Sequence, residues 1–331
     1  MKYDFITIGG ATRDVAFFTD AGILIDSKDN PFKLHQKLLS FEYGSKIKID
    51  KFINLFGGGA ANAAVNLAGL GFKTAAIMEI GNDENGRAMF KNLKDRGVAT
   101  SLVNINSKAD SGSSFILITK SGERIIFTTR GVNDYLALDP NRLEAISQAR
   151  NVYVSSLTGN WPQVMQQVFK ANSRVFWNPG SKQYNSGLKG LAPFLKKTYC
   201  LMVNREEALA LILSDHENIK RSHTFFENKE NLLKLIKSYG PQIVVITDGG
   251  RGASFYDGQM FYHQKAIKEK KHLDTTGIGD VFNSTFSAGL LIYKGNLIKA
   301  AHLAGKNAAH KISYLGAQNG LLTKEKLKIN I

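Results

Sequence analysis

From about residue 152 onward, short runs of consecutive apolar residues alternate with longer stretches in which apolar positions recur every third or fourth residue. The runs predict strands over 152–155, 175–177, 200–203 and 243–247. The periodic stretches predict helices over 163–171, 206–213, 231–238 and 281–293. In the last of these, Phe282, Phe286 and Leu290 repeat every fourth residue and Gly295 follows as a stop. Strands alternating with helices in this way predict an α/β fold, a mainly parallel central sheet flanked by helices on both faces. The polar stretch 214–230 reads as a surface insertion.

The first 130 residues follow a different rhythm. A short strand ends at Gly9 and Gly10, and short apolar pieces follow at 15–18 and 22–25. Alternation at 45–50 predicts a half-exposed strand. Phe56-Gly57-Gly58-Gly59 opens an alanine-rich helix to about residue 69, and strand 74–80, helix 85–96 and strand 98–105 come next. Segments 113–119 and 124–129 predict a hairpin around Lys120-Ser121-Gly122-Glu123. The hairpin-like segments 11–54 and 101–130 are expected to form a small β-rich lid. It would project from a main α/β domain made by 1–10, 55–100 and 131–331, the whole chain of 331 residues being one such unit.

Composition narrows the class. A 43% hydrophobic content with 31 glycines and only 6 prolines belongs to a folded globular protein. The lone Cys200, set in an apolar strand, excludes an intramolecular disulfide, fits a reducing compartment and reads as a packed thiol. The amino terminus lacks a signal-peptide pattern, and no apolar run approaches the ~20 residues of a membrane span. A cytoplasmic location is expected. The net charge of +15 would attract polyanions, but the lysines are scattered and are not interleaved with aromatics. That argues against a nucleic-acid or membrane partner, and for a basic surface with some attraction for nucleotide phosphates.

Candidate chemistry concentrates in two strings. Asp274-Thr275-Thr276-Gly277-Ile278-Gly279-Asp280 runs into the helix predicted from 281. Two glycines and an acid at a helix start would expose N–H groups and the positive end of the helix dipole to an anion, with a carboxylate beside it. Phosphoryl transfer needs that pairing, donors that gather charge and a base for the attacking hydroxyl. A lone acid and two glycines would be a cap and a tight turn; the full string points to catalysis. The second string is Gly57-Gly58-Gly59-Ala60-Ala61-Asn62-Ala63-Ala64. Its small residues allow close approach of a ligand, and Asn62 offers a donor and an acceptor to a polyol, although close helix packing would produce the same composition. It is neither a dinucleotide fingerprint nor a phosphate loop ending in Gly-Lys-Ser/Thr.

Together, in this order and separation, the two strings resemble the paired signatures of the ribokinase-like carbohydrate and nucleoside kinases, the phosphofructokinase-B (PfkB) family. Gly9 with Asp14, Asn178-Pro179-Gly180, Asn204-Arg205-Glu206-Glu207, Thr247-Asp248-Gly249-Gly250-Arg251-Gly252 and Gly316-Ala317-Gln318 are similar to further landmarks of that family. The resemblance implies an ATP- and Mg²⁺-dependent kinase that phosphorylates a primary hydroxyl of a sugar or sugar-like substrate, with an adenosine-type nucleoside kinase as the alternative. Asp280 would be the general base, and Gly277, Ile278 and Gly279 the N–H anion hole. Asn204 and Glu207 would organise Mg²⁺ and phosphate through water. Thr247 and Gly249 would border the nucleotide, Gly252 would allow its close approach, and Asn178 would either line the pocket or make a strand-end turn. Asp14, Gly58 and Asn62 would hold substrate hydroxyls.

Gly59 stands where ribokinases proper carry a lysine, which weakens ribose as the specific choice. Arg130 is a candidate for an anionic substrate or phosphate, against the simpler account of an exposed strand-end arginine. Asp274, Thr276 and the 313–316 region resemble a monovalent-cation site, so K⁺ is a possible activator. The strand edges of the lid make a homodimer plausible. From other classes, a non-catalytic sugar or nucleotide sensor would not need Asp280, and a basic nucleic-acid module would need tight, salt-sensitive binding. The kinase reading requires Asp280 to face a cavity that Asn62 and Asp14 also line.

Overall fold

The computed structural model describes residues 2–26, 37–119, 124–269 and 271–328. Its large sheet has the strand order Phe261–Gln264, Ala253–Tyr256, Ile243–Thr247, Cys200–Asn204, Arg174–Trp177, Asn151–Val154, Phe5–Ile8, Thr74–Gly81 and Val103–Asn106. Every pairing from Ile243–Thr247 to Val103–Asn106 is parallel; the other two strands fold back as an antiparallel edge. Because side chains alternate across a strand, both faces of these apolar runs need cover. Ile6, Ile8, Val152, Val154, Val175 and Trp177 pack on one face against helices Trp161–Val168, Gly187–Leu195, Arg205–Leu213 and Lys229–Ser238. Phe5, Tyr153, Phe176, Cys200 and Met202 face the other way, toward helices Gly59–Gly69, Ile278–Ile292 and Leu297–Lys311. Full burial of a side chain such as Phe286 contributes roughly 1.5–3 kcal/mol. Burial also pushes the Cys200 thiol far up, as expected for a packed cysteine.

A second sheet, in the order Lys51–Gly57, Thr12–Phe18, Ser113–Ile118 and Arg124–Thr129, stands apart from the first. Ile23–Asp26 and Lys37–Ser40 form a separate antiparallel pair. The predicted hairpin is present as the antiparallel pairing of Ser113–Ile118 with Arg124–Thr129, while its tip, 120–123, lies outside the described residues.

Several local expectations are corrected. Residues 45–50 form no strand: only at Asp50 does an N–H reach Phe18 O (3.0 Å), and the paired strand is Lys51–Gly57. The small sheet therefore takes strand residues through Gly57, whereas Val103–Asn106 pairs with Thr74–Gly81 in the large sheet and not in the lid. Of the strand expected at 98–105, Ala99 makes only an isolated bridge to Ala75. The 214–230 segment is anchored, not merely superficial. Asp215 accepts from Lys189 N–H (3.1 Å), and the buried Asn218 donates to Ile212 O (2.9 Å).

Candidate active site

The site begins where helix Ile278–Ile292 starts. Gly277 caps it at φ +72°, and a Cβ there would collide with Ala317, so glycine is required both for conformation and for contact. The first-turn N–H groups of a helix lack intrahelical acceptors. Val281 N–H is the first to reach an acceptor four residues back, Gly277 O, and Ile278 N–H makes a long bond three residues back to Thr275 O at 3.3 Å. The N–H groups of Gly277, Gly279 and Asp280 have no acceptor among the described residues. Of the three donors expected at 277–279, Ile278 is therefore partly committed, and Asp280 N–H joins the free pair. Nothing lies within 4 Å of a Cβ placed on Gly279, which is exposed.

Asp280 itself is half-buried in the first turn. Burial pushes its carboxyl above the usual range, while a hydrogen bond from Asn62 and the charge of Lys311 oppose that rise. Asn62 Nδ2 donates to Asp280 Oδ2 at 2.8 Å, and Asn62 Oδ1 accepts from Gln318 at 3.1 Å. Asn62 was expected to hold substrate hydroxyls. Only 4% of its surface is exposed, and both ends of its amide are engaged, by Asp280 and by Gln318.

Gly57, Gly58 and Gly59, at the start of helix Gly59–Gly69, each meet a different neighbour. A Cβ on Gly57 would overlap the Asp14 carboxylate; one on Gly58, at φ +91°, would strike Gly10 O and Ala11; one on Gly59 would overlap Ser155 Oγ and lie 3.2 Å from Asp280 Oδ1. Asp14 and Asp280 thus border positions two residues apart, at most ~7 Å of chain. Asp14 is buried, which raises its pKa against bonds from Thr12 and Ser114, and its Oδ1 has no partner among the described residues. A buried acceptor without a partner is the kind of group that a ligand hydroxyl satisfies.

Asn178, Asn204 and Thr247 sit at or just beyond the carboxyl ends of neighbouring parallel strands, where open α/β sheets bind ligands. Asn178 Nδ2 donates to Met202 O at 2.8 Å. Asn204 and Glu207 form a reciprocal cap: Glu207 N–H donates to Asn204 Oδ1 and Asn204 N–H to Glu207 Oε2, both at 2.8 Å. Burial pushes Glu207 up to about 7 against that Asn204 bond, with further upward pressure from Asp280. Glu206 is the exposed member of the pair. Gly249, at φ +51°, borders open space.

Gly252 and Arg130 make no contact with Asp14 or Asp280 among the described residues. A Cβ on Gly252 would collide with Gln264 O, so the close approach it permits is to the chain's own backbone. Arg130 is exposed, and none of the described contacts joins its side chain to Asp14 or Asp280. Ser155, Gln318 and Lys311 carry contacts to the site that the sequence reading did not assign.

Residues 23–324 match the pfkB family carbohydrate kinases. The chain belongs to the pfkB family. As a pfkB carbohydrate kinase it is a phosphotransferase with an alcohol group as acceptor. This pfkB member is 28% identical over 262 residues to an uncharacterized sugar kinase of Archaeoglobus fulgidus, covering 78% of this chain and 98% of the relative. It is 26% identical over 319 residues to the ATP-dependent 6-phosphofructokinase of Thermoanaerobacterium thermosaccharolyticum, covering 91% and 93%. Its fold is similar to that of Arabidopsis thaliana ribokinase complexed with ribose and ATP, with a TM-score of 0.79 at 19% identity over 99% of this chain and 98% of that one. Burkholderia thailandensis nucleoside kinase in complex with inosine gives 0.75 at 16% identity, over 98% and 96%.

The residues of this kinase fit the two expected cations differently. Mg²⁺ favours one or two carboxylates with water and phosphate oxygens completing its shell. Glu207, a half-buried carboxyl whose charged form is disfavoured and would gain from a cation, suits it. At the place expected to take K⁺, Asp274 and Thr276 are already engaged with protein groups. Asp274 Oδ1 accepts Thr276 N–H (2.8 Å) and Oδ2 accepts Gly316 N–H (2.7 Å), while the fully buried Lys311 ammonium lies 3.8 Å from Oδ2. A second cation would have to share that pocket with a buried like charge.

Proposed function

We propose that this chain transfers the terminal phosphoryl group of ATP to a primary hydroxyl of a sugar or sugar-like substrate, with Asp280 as the general base. The observation that carries the reading is the half-buried Asp280 carboxylate, oriented by Asn62, beside the N–H groups of Gly277, Gly279 and Asp280, which have no acceptor among the described residues. The substrate hydroxyl gives its proton to Asp280 while its oxygen attacks the γ-phosphorus, the bond from that phosphorus to the β,γ-bridging oxygen breaks so that ADP leaves, and the N–H groups gather the charge on the transferring phosphoryl. Asp14 accepts a second substrate hydroxyl. Asn178, Thr247 and Gly249 border the nucleotide. Glu207, with Asn204, would hold Mg²⁺ through water; when bound, that ion neutralises phosphate charge.

Asp14 lies on a strand of the small sheet, so substrate contact and lid position are linked. Closure of that sheet over the site would exclude water and limit wasteful hydrolysis of ATP. Among the described residues the outer strands Lys51–Gly57 and Arg124–Thr129 leave backbone edges unpaired, and Phe52 and Phe127 are exposed on them, which supports a homodimer through the lid. Sedimentation of wild type against Phe52→Lys tests that assembly.

An ATP-consumption screen against ribose, fructose, 2-keto-3-deoxygluconate, adenosine, other nucleosides and hexose phosphates tests the function. Turnover with a sugar, sugar acid or sugar phosphate supports the reading. Turnover confined to nucleosides selects the adenosine-type alternative, and the absence of phosphorylated product from every acceptor rejects both.

A further inference from the structure

Lys311, in the last turn of helix Leu297–Lys311, is fully buried. An ammonium removed from water costs several kcal/mol unless it is paired and hydrogen-bonded. Here its Nζ donates to Asp274 O at 3.1 Å and stands 3.8 Å from Asp274 Oδ2. The same carboxylate accepts the N–H groups of Thr276 and Gly316, while Leu273 and Asp274 N–H donate to Ile312 O, one residue beyond the lysine. One lysine and one aspartate therefore tie the loop carrying Gly277 to the loop carrying Gly316 and Ala317, on which Gly277 rests.

We infer that the Lys311 ammonium is the resident cation of this phosphate-binding loop, so that the kinase needs no monovalent metal ion there. A bound monovalent cation at such a place would neutralise Asp274, coordinate a loop carbonyl oxygen and add positive field behind the anion hole. Lys311 supplies each of these. It faces Asp274 and bonds its carbonyl oxygen, and its charge favours the ionised forms of both Asp274 and Asp280 against their burial. The Asp274–Lys311 pair is already neutral, so an added K⁺ would leave an uncompensated positive charge beside a buried like charge. Being covalently attached, this cation is present at any salt concentration. Lys311 is a positioning residue. The inference rests on the phosphoryl-transfer reading of the same loop.

The test compares turnover, nucleotide affinity and melting temperature in about 0.1 M KCl with the same ionic strength of tetramethylammonium chloride. Wild type is expected to differ by less than ~2-fold in turnover between the two salts. Lys311→Ala, which opens a cation-sized hole beside Asp274, is expected to lose ~10²-fold in tetramethylammonium and to regain at least ~10-fold with K⁺ or ammonium. Lys311→Met fills the hole without charge and is expected to lose as much with no rescue. Melting and nucleotide affinity should respond to K⁺ in the alanine variant alone. Activation of wild type by K⁺ of more than ~5-fold, full cation-free activity of Lys311→Ala, or a loss that no cation restores would each overturn the inference. If Lys311→Ala does not fold, the wild-type comparison decides alone. If no acceptor is phosphorylated, the melting and nucleotide-affinity comparisons still decide, which separates failure of this inference from failure of the kinase reading.

Discussion

Asn62 and Asp280, 218 positions apart in sequence, are joined by a single 2.8 Å hydrogen bond that links the starts of two helices. The donor is held in turn, because Gln318 occupies the Asn62 carbonyl oxygen and Asn92 donates to Gln318 at 2.7 Å. The carboxylate is thereby oriented by groups that need not touch substrate. Its protonation is balanced between burial, which favours the neutral acid, and Asn62 with Lys311, which favour the ion.

The pH dependence of Asn62→Ala follows from that balance. Removing the bond withdraws support from the ionised form, so the Asp280 pKa, already above the usual carboxylate range, rises further. A base must be ionised to work, so the acid limb of the kcat/KM profile moves to higher pH, and below the limb activity falls by about tenfold per pH unit. A pH–rate profile of the variant checks this; an unmoved acid limb would mean that Asn62 does not govern the base.

Gly59→Ala places a methyl group against Ser155 Oγ and close to Asp280 Oδ1. Overpacking of this kind costs about 1–3 kcal/mol, and displacement of Asp280 should lower turnover as well. Adding Ser155→Ala should recover part of the stability, read from urea unfolding of the single and double variants. Unchanged stability and turnover in Gly59→Ala alone would contradict the packing account of this glycine.

Behind the site runs a buried polar chain. Asn307 Nδ2 donates to Asn66 Oδ1 and Thr285 Oγ1, both at 2.9 Å, and its Oδ1 accepts Leu322 N–H at 2.8 Å. Asn66 donates on to Ser284 Oγ, which bonds Asp280 O at 2.5 Å. Asn307→Ala leaves buried partners unsatisfied and should cost about 1–3 kcal/mol. Chemical denaturation measures the loss; a variant as stable as wild type would show that the chain of bonds contributes nothing.

What was legible in the sequence divides along physical lines. Strands apolar on both faces announce a covered parallel sheet, and Phe282, Phe286 and Leu290 mark their helix, because periodicity is a local property. The meeting of Gly57, Gly58 and Gly59 with Asp14, Gly10 and Asp280 is not local, so the glycine run alone could not be told from close helix packing. Residues 45–50 alternate as a strand should, yet pairing depends on a neighbour and begins only at 51. Lys311 is legible in hindsight from its helix: Ala300, Ala304, Asn307 and Lys311 follow one buried stripe, where a charge demands a partner. At Gly252 a missing Cβ looks the same in sequence whether ligand or backbone fills its place, and here Gln264 O lies where the Cβ would stand.

The most direct test of Asp280 as the base is the turnover of Asp280→Asn with the preferred acceptor, measured beside its ATP affinity and melting temperature. Folding favours the protonated form of this buried acid, so the stability it lends at low pH is lost as pH rises through its folded pKa; at neutral pH the neutral amide should melt at or above wild type. Turnover should fall by ~10² or more with ATP affinity retained. Turnover equal to wild type in a folded, ATP-binding variant would contradict the account.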